Sequence, residues 1–524
     1  MSFMKPVKHA LISVSDKTHI IKIAKILTEN KINLLSTEGT AKILRNYHVP
    51  VTTVSDYIKF PEIMNGRVKT LHPKIMAGIL SSSKDKKIMQ FYKINPIDIV
   101  IVNFYPFQHA LFDVNNNIRD VIKNIDIGGP TLVRAAAKNY ENVIVIVDIN
   151  DIESIIDAIK TNSIDINTRL QLARKAFQYT SSYESTIAKY FSQYQSYSMQ
   201  KKHNLFPNKI NFSFIKKQDL VYGENQHQKS AFYIKNNTLH TGTISFSNQV
   251  HGKTLSYNNI LDANTALECV KEFKKPSCVI VKHGNPCGAA TRTTLVESYL
   301  YAYNADPVSA FGGVLAFNYE IDEHTAQKII TTQFVEVIIA PKINEYALKI
   351  LQQKKNTRVL VTGKIHKHRR RLEIKSIDDG MLIQENDINK YNHKKWTVVT
   401  KRTPTKQEVQ DAIFCWKIAK FVKSNAIVYG YNETTIAIGA GQMSRIDSTK
   451  LANVKVKERG YNIMHATMAS DAFLPFRDNI DQAAKIGITC VIQTGGSIRD
   501  HEVIQAANEQ NITMIFTKTR HFRH

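Results

Sequence analysis

The chain has 524 residues, of which 43% are hydrophobic, and a net charge of +25. This length predicts two to four domains, and the apolar content argues against disorder. No apolar run reaches the length of a membrane span, and residues 1–9 lack the pattern of a secretion signal. Five scattered cysteines without a CxxC pair argue against disulfides or structural zinc and predict a reducing, cytoplasmic setting.

The positive charge would also suit a nucleic-acid-binding protein. The lysines are spread along the chain, however, and the one dense basic cluster, residues 366–371, has no aromatic platform or recognition helix beside it. Anionic small substrates explain the charge at least as well. Nucleic-acid binding is therefore a distant alternative.

Residues 8–150 alternate short apolar runs with amphipathic stretches, which is typical of a parallel α/β domain. A long helix is predicted at Asn167–Phe191, and the polar segment 192–211 that follows predicts a boundary between domains 1–200 and 201–524. The strands predicted in the first domain are Ala10–Val14, Ile32–Leu35, Asp98–Val102 and Val143–Val147, with a helix at Ile20–Leu27.

Polar segments follow two successive predicted strands of the first domain. Residues Ser13–Thr18 and Ser36–Thr40 combine hydroxyls, a lysine and the start of a helix, which together predict an anion site. Simple helix capping is the alternative for each segment. Arg67 and Lys69 would share one side of an extended piece, and Ile125–Pro130 predicts a turn into a helix. Arg134 and Lys138 would lie on one face of that helix.

In the second domain, Lys282 and His283 follow a buried-strand pattern and precede a turn predicted at Asn285-Pro286. Histidine can move a proton near neutral pH, and a neighbouring lysine can stabilise a developing anion. A surface pair before an ordinary loop is the alternative.

A second strand, Gln333–Pro341, carries Glu336 inside an apolar run, where an acid is expected to be functional or paired. Other predictions are loops at 220–228 and 256–259 and a Gly-rich turn at Gly439–Arg445, with no clear internal repeat. The segment Val422–Val428 ends in a buried-strand pattern, and Asp306–Gly313 is either a tight turn or a close backbone approach to a ligand.

Together these segments resemble the family of bifunctional purine-biosynthesis enzymes that combine AICAR (5-aminoimidazole-4-carboxamide ribonucleotide) transformylase with IMP cyclohydrolase. The resemblance runs from Ser13 to the last residues, Arg520–His524. It implies an α/β fold: a methylglyoxal-synthase-like N-terminal domain, and a C-terminal transformylase of two cytidine-deaminase-like subdomains without zinc. It also implies 10-formyltetrahydrofolate as co-substrate, no metal for the chemistry, and a homodimer whose transformylase sites are shared across the interface.

The resemblance also implies the site residues. In the first domain Lys138 would transfer the proton, with Tyr105 and Asp126 beside the ring-closing atoms. In the second domain His283 would be the base, Lys282 the transition-state stabiliser, and Asn425 the residue that positions the formyl group. The residues implied to hold IMP or formyl-AICAR are Ser15, Asp16, Lys17, Thr37, Gly39, Thr40, Arg67, Lys69, Thr70, Asn103 and Ile127. Those implied to contact AICAR are Tyr222, Gly312, Glu336, Arg445, Phe473 and Arg520, and those on the folate side are Ile446, Asp478 and Ser497.

Several positions depart from the family pattern, among them Gln226, Met76-Ala77, Glu184 and the three that follow. Glu38 replaces a glycine of the phosphate loop, Val221 replaces an arginine before Tyr222, and Gly284 replaces an alanine after His283. A carboxylate near a phosphate is repulsive, so Glu38 predicts weaker binding in the first domain. The alternative to the full bifunctional enzyme is therefore a monofunctional or weakened relative with an impaired cyclohydrolase.

Overall fold

A computed structural model describes residues 6–64, 66–105, 107, 117–161, 163–198, 205–235, 240–366, 369–388, 395–460 and 463–524. The chain divides into two compact units, Met1–Ser213 (unit one) and Phe214–His524 (unit two). Parts of the predicted boundary segment 192–211 and of the basic cluster 366–371 lie outside the described residues.

Unit one is built on a parallel sheet with the strand order β3-β2-β1-β4-β5. The central strands are rich in β-branched residues and are buried on both faces, as a parallel sheet covered by helices requires. The expected parallel α/β domain is confirmed. The strands are β1 (His9–Val14), β2 (Asn33–Ser36), β3 (Thr52–Thr53), β4 (Ile99–Asn103) and β5 (Ile144–Ile146).

The helices of unit one cover the sheet with narrow apolar faces. In the first helix Ile20, Ile23, Ala24 and Leu27 are buried, which is the i, i+3, i+4, i+7 spacing of one face. The α-helices are Ile20–Glu29, Glu38–Asn46, Val54–Ile58, Pro73–Leu80, Lys86–Phe91, Ile118–Lys123, Gly128–Lys138, Asn150–Lys160 and Ile166–Ser198, with a 3-10 turn at Ser83–Asp85.

Unit two is built on one twelve-stranded sheet with the order β16-β21-β20-β19-β17-β18-β10-β9-β11-β12-β13-β8. Two hairpins are separate from this sheet: β6–β7 precedes its first strand in the chain, and β14–β15 lies between β13 and β16. The strands are β6 (Phe214–Leu220), β7 (Ser230–Lys235), β8 (Asn248–His251), β9 (Ser277–Lys282), β10 (Asn285–Thr291), β11 (Val314–Phe317), β12 (Val337–Ala340), β13 (Arg358–Val361), β14 (Leu372–Ile377), β15 (Gly380–Glu385), β16 (Thr397–Val398), β17 (Ile427–Tyr431), β18 (Thr434–Gly439), β19 (Ala466–Ser470), β20 (Ile488–Gln493) and β21 (Thr513–Phe516).

The helices of unit two alternate with these strands along the chain. The helices Tyr257–Val270 and Lys406–Ala419 both have 14 residues, and each begins with a capping box. The α-helices are Tyr257–Val270, Leu295–Ala305, Pro307–Ala310, Glu323–Thr332, Glu345–Leu351, Lys406–Ala419, Arg445–Glu458, Asp478–Ala484 and Asp500–Glu509.

The twelve-stranded sheet consists of two halves with the same topology. In each half an antiparallel hairpin pairs with a third antiparallel strand, and two parallel strands follow: β9 to β13 in one half, β17 to β21 in the other. The halves meet where β10 runs antiparallel to β18, which relates them by an approximate two-fold axis. Residues 256–285 and 405–434 correspond without a gap at a spacing of 149 residues. The repeat is not apparent in the sequence because few side chains are shared between the halves.

Three local predictions differ from the structure. The turn after Lys282 is formed by His283 and Gly284, and Asn285-Pro286 already belong to β10. The predicted tight turn at Asp306–Gly313 contains a short helix, Pro307–Ala310, capped by the Asp306 side chain. The predicted loop at 256–259 is the start of the helix Tyr257–Val270, capped by Ser256. The buried strand expected at the end of Val422–Val428 is confirmed as β17, which begins at Ile427.

Candidate active sites

In unit one the Asn103 side chain joins the ends of the neighbouring strands β1 and β4. Its Oδ1 accepts hydrogen bonds from the backbone N–H groups of Ser15 (2.6 Å) and Asp16 (3.0 Å), and its Nδ2 donates to Asp16 O (2.8 Å). The Lys17 ammonium donates back to Ser15 O at 3.4 Å. Hydrogen bonds from the Thr18 hydroxyl and N–H lower the pKa of Asp16. The loop after β1 is therefore fixed against the carboxyl end of β4.

The next strand, β2, leads through Thr37 into the helix Glu38–Asn46. Thr40 lies one turn into that helix and donates its hydroxyl to Val14 O at 3.3 Å, which ties the helix to the end of β1. At Gly39 an added methyl group would meet nothing within 4 Å, so the surface beside it is open. The Glu38 N–H donates to Glu62 Oε1 at 3.3 Å. A carboxylate therefore lies at a helix N-terminus, which favours anions.

A third cluster surrounds Asp126 at the start of the helix Gly128–Lys138. Its Oδ1 accepts from Gly129 N at 2.9 Å, and the Tyr105 N–H also donates to this carboxylate. Burial raises the pKa of Asp126, while these donors and the nearby Lys69 ammonium act in the opposite direction. Tyr105 is 47% exposed, so its phenol is accessible to solvent.

Three further residues lie around this cluster. Thr70 is buried, and its Oγ1 lies 2.7 Å from the position that a methyl group at Gly128 would occupy. The Arg67 side chain is exposed and donates from Nε to Met64 O at 3.0 Å, and Ile127 is 60% exposed. The cation and the apolar side chain are therefore open to a ligand, whereas Thr70 packs beneath the helix start.

In unit two the Lys282–Asn285 hairpin turn and the Lys423–Asn425 segment lie in contact. The backbone N–H of Lys423 donates to Asn285 Oδ1 at 2.8 Å. Lys282 Nζ donates to Phe311 O at 2.7 Å, and the His283 side chain is exposed. Both halves of the sheet therefore contribute to one surface around the imidazole.

Gly312 and Glu336 lie at the same sheet edge as Lys282, because β11 and β12 begin where the antiparallel β9 ends. Gly312 has a φ of +69°, which favours glycine, and its N–H donates to Phe334 O at 2.9 Å. Glu336 Oε2 lies 2.5 Å from Arg358 Nη1, so the acid predicted to be functional or paired is paired. The Tyr222 carbonyl accepts from Tyr257 N at 3.3 Å, which holds its loop against the following helix.

The Asn425 side chain is held in place by a hydrogen bond from the buried Arg445. Arg445 is 7% exposed and donates to Asn425 Oδ1 (2.7 Å), Ser470 Oγ (2.9 Å) and Asp471 Oδ1 (2.8 Å). Asp471 is fully buried and also accepts from the Ser424 hydroxyl. Asn425 donates its amide to Gln442 O at 3.0 Å. The oxygen and the nitrogen of the Asn425 side chain are therefore both held by protein groups.

The remaining predicted residues follow the carboxyl ends of strands at this same edge. Phe473 comes after β19 and is 40% exposed, Ser497 comes after β20, and Arg520 comes after β21 with its guanidinium 4.7 Å from the Phe522 ring. Asp478 is the first residue of its helix, and Ile446 follows Arg445 in the helix Arg445–Glu458. Carboxyl ends of neighbouring strands are where α/β sheets bind ligands.

Comparison with known proteins identifies the family. The AICARFT/IMPCHase bienzyme model matches residues 136–455, and the MGS-like domain model matches residues 19–131. A protein of Buchnera aphidicola subsp. Acyrthosiphon pisum (strain 5A) named "Bifunctional purine biosynthesis protein PurH" is 63% identical over 99% of this chain and 99% of its own.

The chain belongs to the AICARFT/IMPCHase bienzyme family.

Another relative with the same name, from Buchnera aphidicola subsp. Schizaphis graminum (strain Sg), is 61% identical over the whole of both chains. The crystal structure of ForH covers 36% of this chain and 100% of its own at 32% identity, with a TM-score of 0.31, so that likeness is one of sequence. As a family member the chain is a bifunctional enzyme of purine biosynthesis, an AICAR formyltransferase and IMP cyclohydrolase that carries out the last two steps of IMP synthesis. Its N-terminal domain is MGS-like.

Lys138 is the one residue implied by the family that the structure separates from its expected neighbours. It is the last residue of the helix that begins at Gly128, and ten residues of helix span about 15 Å. Lys138 therefore lies at the opposite edge of the sheet from Asp126, where it lines a groove together with Arg134 and Phe177. The ammonium group near Asp126 belongs to Lys69.

The structure adds four positions that sequence reasoning did not assign to the sites. Tyr179 and Tyr183 hold the backbone around the Asp126 cluster: their hydroxyls accept from Phe104 N (3.1 Å) and Asp126 N (2.8 Å). Burial raises the pKa of Tyr183 to about 12. Asp262 and Asp471 play the corresponding part in unit two. The four-residue spacing of the tyrosines was the only available signal, because it places both on one face of a helix.

Within the described ranges, no group of three or more His, Cys, Asp and Glu side chains is placed to hold a metal ion. No helix among those residues is both long enough and apolar enough to cross a membrane.

Proposed function

We propose that unit two transfers the formyl group of 10-formyltetrahydrofolate to the 5-amine of AICAR, and that unit one closes the product, formyl-AICAR, to IMP. The single observation that carries the assignment for unit two is the contact between the Lys282–Asn285 turn and the Lys423–Asn425 segment. It supports a base, a cation and a fixed amide acting on one reacting centre.

In the transfer, the amine nitrogen attacks the formyl carbon while His283 takes the proton that the amine loses. A base is needed because the lone pair of this amine is delocalised into the imidazole ring and carboxamide. The new C–N bond forms, the bond from the formyl carbon to N10 of the folate breaks, and N10 takes up a proton. Lys282 stabilises the oxyanion that develops on the formyl oxygen, and Asn425 holds the formyl group in line.

The geometry of Arg445 supports a different role from the AICAR contact that the resemblance implies. Three of its N–H groups are already bound within the protein. We assign Arg445 the positioning of Asn425. Tyr222, Gly312, Glu336, Phe473 and Arg520 remain the proposed AICAR contacts, with Ile446, Asp478 and Ser497 on the folate side.

In the ring closure, the carboxamide nitrogen attacks the formyl carbon, and the carbinolamine that forms loses water to give the C=N bond of IMP. The steps need proton transfer to the departing hydroxyl, removal of one proton from the carboxamide nitrogen and removal of one proton from the formamide nitrogen, which becomes the nitrogen of the C=N bond. The Tyr105 N–H donates to Asp126, and the charge of Lys69 opposes the rise that burial causes in the pKa of Asp126, which supports these three residues as the groups that transfer the protons. Ser15, Asp16, Lys17, Thr37, Gly39, Thr40, Arg67, Thr70, Asn103 and Ile127 are proposed to bind the nucleotide around them.

Lys138 can take part in the closure only if a second protomer supplies it, since its own Asp126 is about 15 Å away along the helix. This distance supports the proposed homodimer. Mixing two inactive variants, Lys138→Ala and Asp126→Asn, should restore part of the cyclohydrolase activity, because each mixed dimer then has one intact site. Absence of recovery in verified mixed dimers would contradict a shared site.

The half-reactions should be assayed separately on the purified chain, as folate-dependent consumption of AICAR and as conversion of supplied formyl-AICAR to IMP. Both activities are expected. Transfer without closure would favour the weakened relative that Glu38 predicts, and salt-sensitive binding to random DNA without either activity would favour the nucleic-acid alternative. The five cysteines are free thiols, which fits the cytoplasmic setting that we also propose.

A further inference from the structure

The turn that carries His283 has a backbone conformation that needs support. His283 has a φ of +53° and Gly284 a φ of +75°, and non-glycine residues rarely adopt positive φ values. Asp262, in the helix Tyr257–Val270, accepts hydrogen bonds from both turn residues, from His283 N at 3.2 Å and from Gly284 N at 2.7 Å. One carboxylate therefore holds both central N–H groups of the turn.

The other half of the sheet contains the same device at the corresponding positions. Asn432 and Glu433 form the turn between β17 and β18, with φ values of +49° and +50°. Asp411, in the helix Lys406–Ala419, accepts from Glu433 N at 2.8 Å and from Asn432 N. Asp262 and Asp411 are 149 residues apart, which is the spacing of the repeat. In both halves, therefore, an aspartate on this helix supports the hairpin turn.

The two turns differ in what else holds them. Glu433 forms an ion pair with Lys275 (2.8 Å), and Arg292 donates to Asn432 O (2.7 Å), so the second turn is locked by side chains as well. In the described part of the chain the His283 imidazole has no hydrogen-bond partner and its side chain is exposed. At the first turn the position of the ring depends on the backbone, which Asp262 holds through two N–H groups, while Asn285 Nδ2 adds only a long hydrogen bond of 3.5 Å to His283 O.

We propose that Asp262 is a positioning residue for formyl transfer. Its carboxylate holds the His283–Gly284 turn in the left-handed conformation and so directs the imidazole at the attacking amine. The inference rests on the proposed role of His283 as the base. The charged groups that face Asp262 are His283 on the turn and Lys423 on the adjoining loop.

The test compares Asp262→Asn with Asp411→Asn, a matched change at the turn that carries no chemistry. An asparagine keeps the volume but can accept from only one N–H group without opposing the other with its own amide. For Asp262→Asn we expect the kcat of transfer to fall at least about 10-fold, with the KM for AICAR within about twofold. For Asp411→Asn we expect kcat within about twofold of wild type, with a similar loss of thermal stability.

The split between kcat and KM separates a positioning role from a merely structural one. A general loosening of the site would raise the KM for AICAR as kcat falls, whereas a displaced imidazole lowers kcat alone. Asp262→Glu keeps the charge but displaces it from the turn, so the kcat of transfer should fall with this variant too. This second variant also provides a measurement if Asp262→Asn does not fold, which thermal unfolding of unit two would reveal.

Equal losses of kcat in Asp262→Asn and Asp411→Asn, or a rise in the KM for AICAR that matches the fall in kcat, would overturn the inference. His283→Ala distinguishes the two levels of the argument. If His283→Ala retains transfer, the proposed function of the turn is wrong. If His283→Ala loses transfer while Asp262→Asn retains it, only the role of Asp262 is wrong.

Discussion

Replacing Arg445 with methionine tests whether this residue supports Asn425 or binds AICAR directly. The arginine is 7% exposed, and its partner Asp471 is fully buried. Removing one member of such a pair leaves an uncompensated charge in the interior, at a cost of about 3–5 kcal/mol in the free energy of unfolding. Asn425 also loses the donor to its Oδ1, which lies 2.7 Å from Arg445 Nη1. We therefore expect both a large loss of stability and a fall in kcat.

The expected loss of kcat is about 10- to 100-fold, because displacing a positioning group by about 1 Å can have that effect. The double variant Arg445→Met/Asp471→Leu provides the control. Exchange of both buried charges for apolar side chains is often neutral or stabilising, so the double variant should recover most of the lost stability. It should not recover kcat, because Asn425 still lacks its donor.

The measurements are urea unfolding of unit two in the intact chain and steady-state kinetics with AICAR as the varied substrate. If Arg445 were mainly an AICAR contact, Arg445→Met would raise the KM for AICAR and change the free energy of unfolding by less than about 1 kcal/mol. That result would refute the positioning role.

Three other variants test the remaining assignments. His283→Ala should lower the kcat of formyl transfer by about 10²- to 10⁴-fold and leave closure of supplied formyl-AICAR intact, and undiminished transfer would contradict its role as base. Glu38→Gly should lower the KM of the cyclohydrolase, because it removes one of two carboxylates at the helix N-terminus, the other being Glu62 at 3.3 Å from Glu38 N; an unchanged or higher KM would count against it. Burial raises the pKa of Asp126, so the unfolded chain loses this proton first as pH rises from about 3.9. The stability of wild type relative to Asp126→Asn should therefore decrease as pH rises through that window, and unfolding curves at several pH values would show no such trend if the shift were absent.

Much of the fold could be predicted from sequence because the buried residues of one helix or strand recur with the period of that element. The apolar run around Ile99–Val102 and the i, i+3, i+4, i+7 spacing from Ile20 to Leu27 each reflect one element facing the core. Lys282 could likewise be placed at the end of a strand, since the apolar pattern stops there. The exact turn was misplaced by two residues because Asn285-Pro286 are turn formers that here begin the next strand.

The contacts across the sheet could not be predicted in this way. Asn285 meets Lys423 only because the β9–β10 hairpin and the segment before β17 come to the same edge of one sheet, and no local pattern encodes that strand order. The burial of Arg445 against Asp471 has the same origin. Lys138 is the opposite case. It is only twelve residues from Asp126 in sequence, but the helix between them keeps the two about 15 Å apart.

The residue types available for chemistry, the strand ends at which they stand and the family pattern can all be read along the chain. That unit two is a duplicated sheet, which of its two equivalent turns is exposed, and that Lys69 rather than Lys138 acts on Asp126 emerge only in the folded protein. Burial repeats along the chain with the period of a helix or strand, whereas strand order and long-range pairing depend on how whole elements pack.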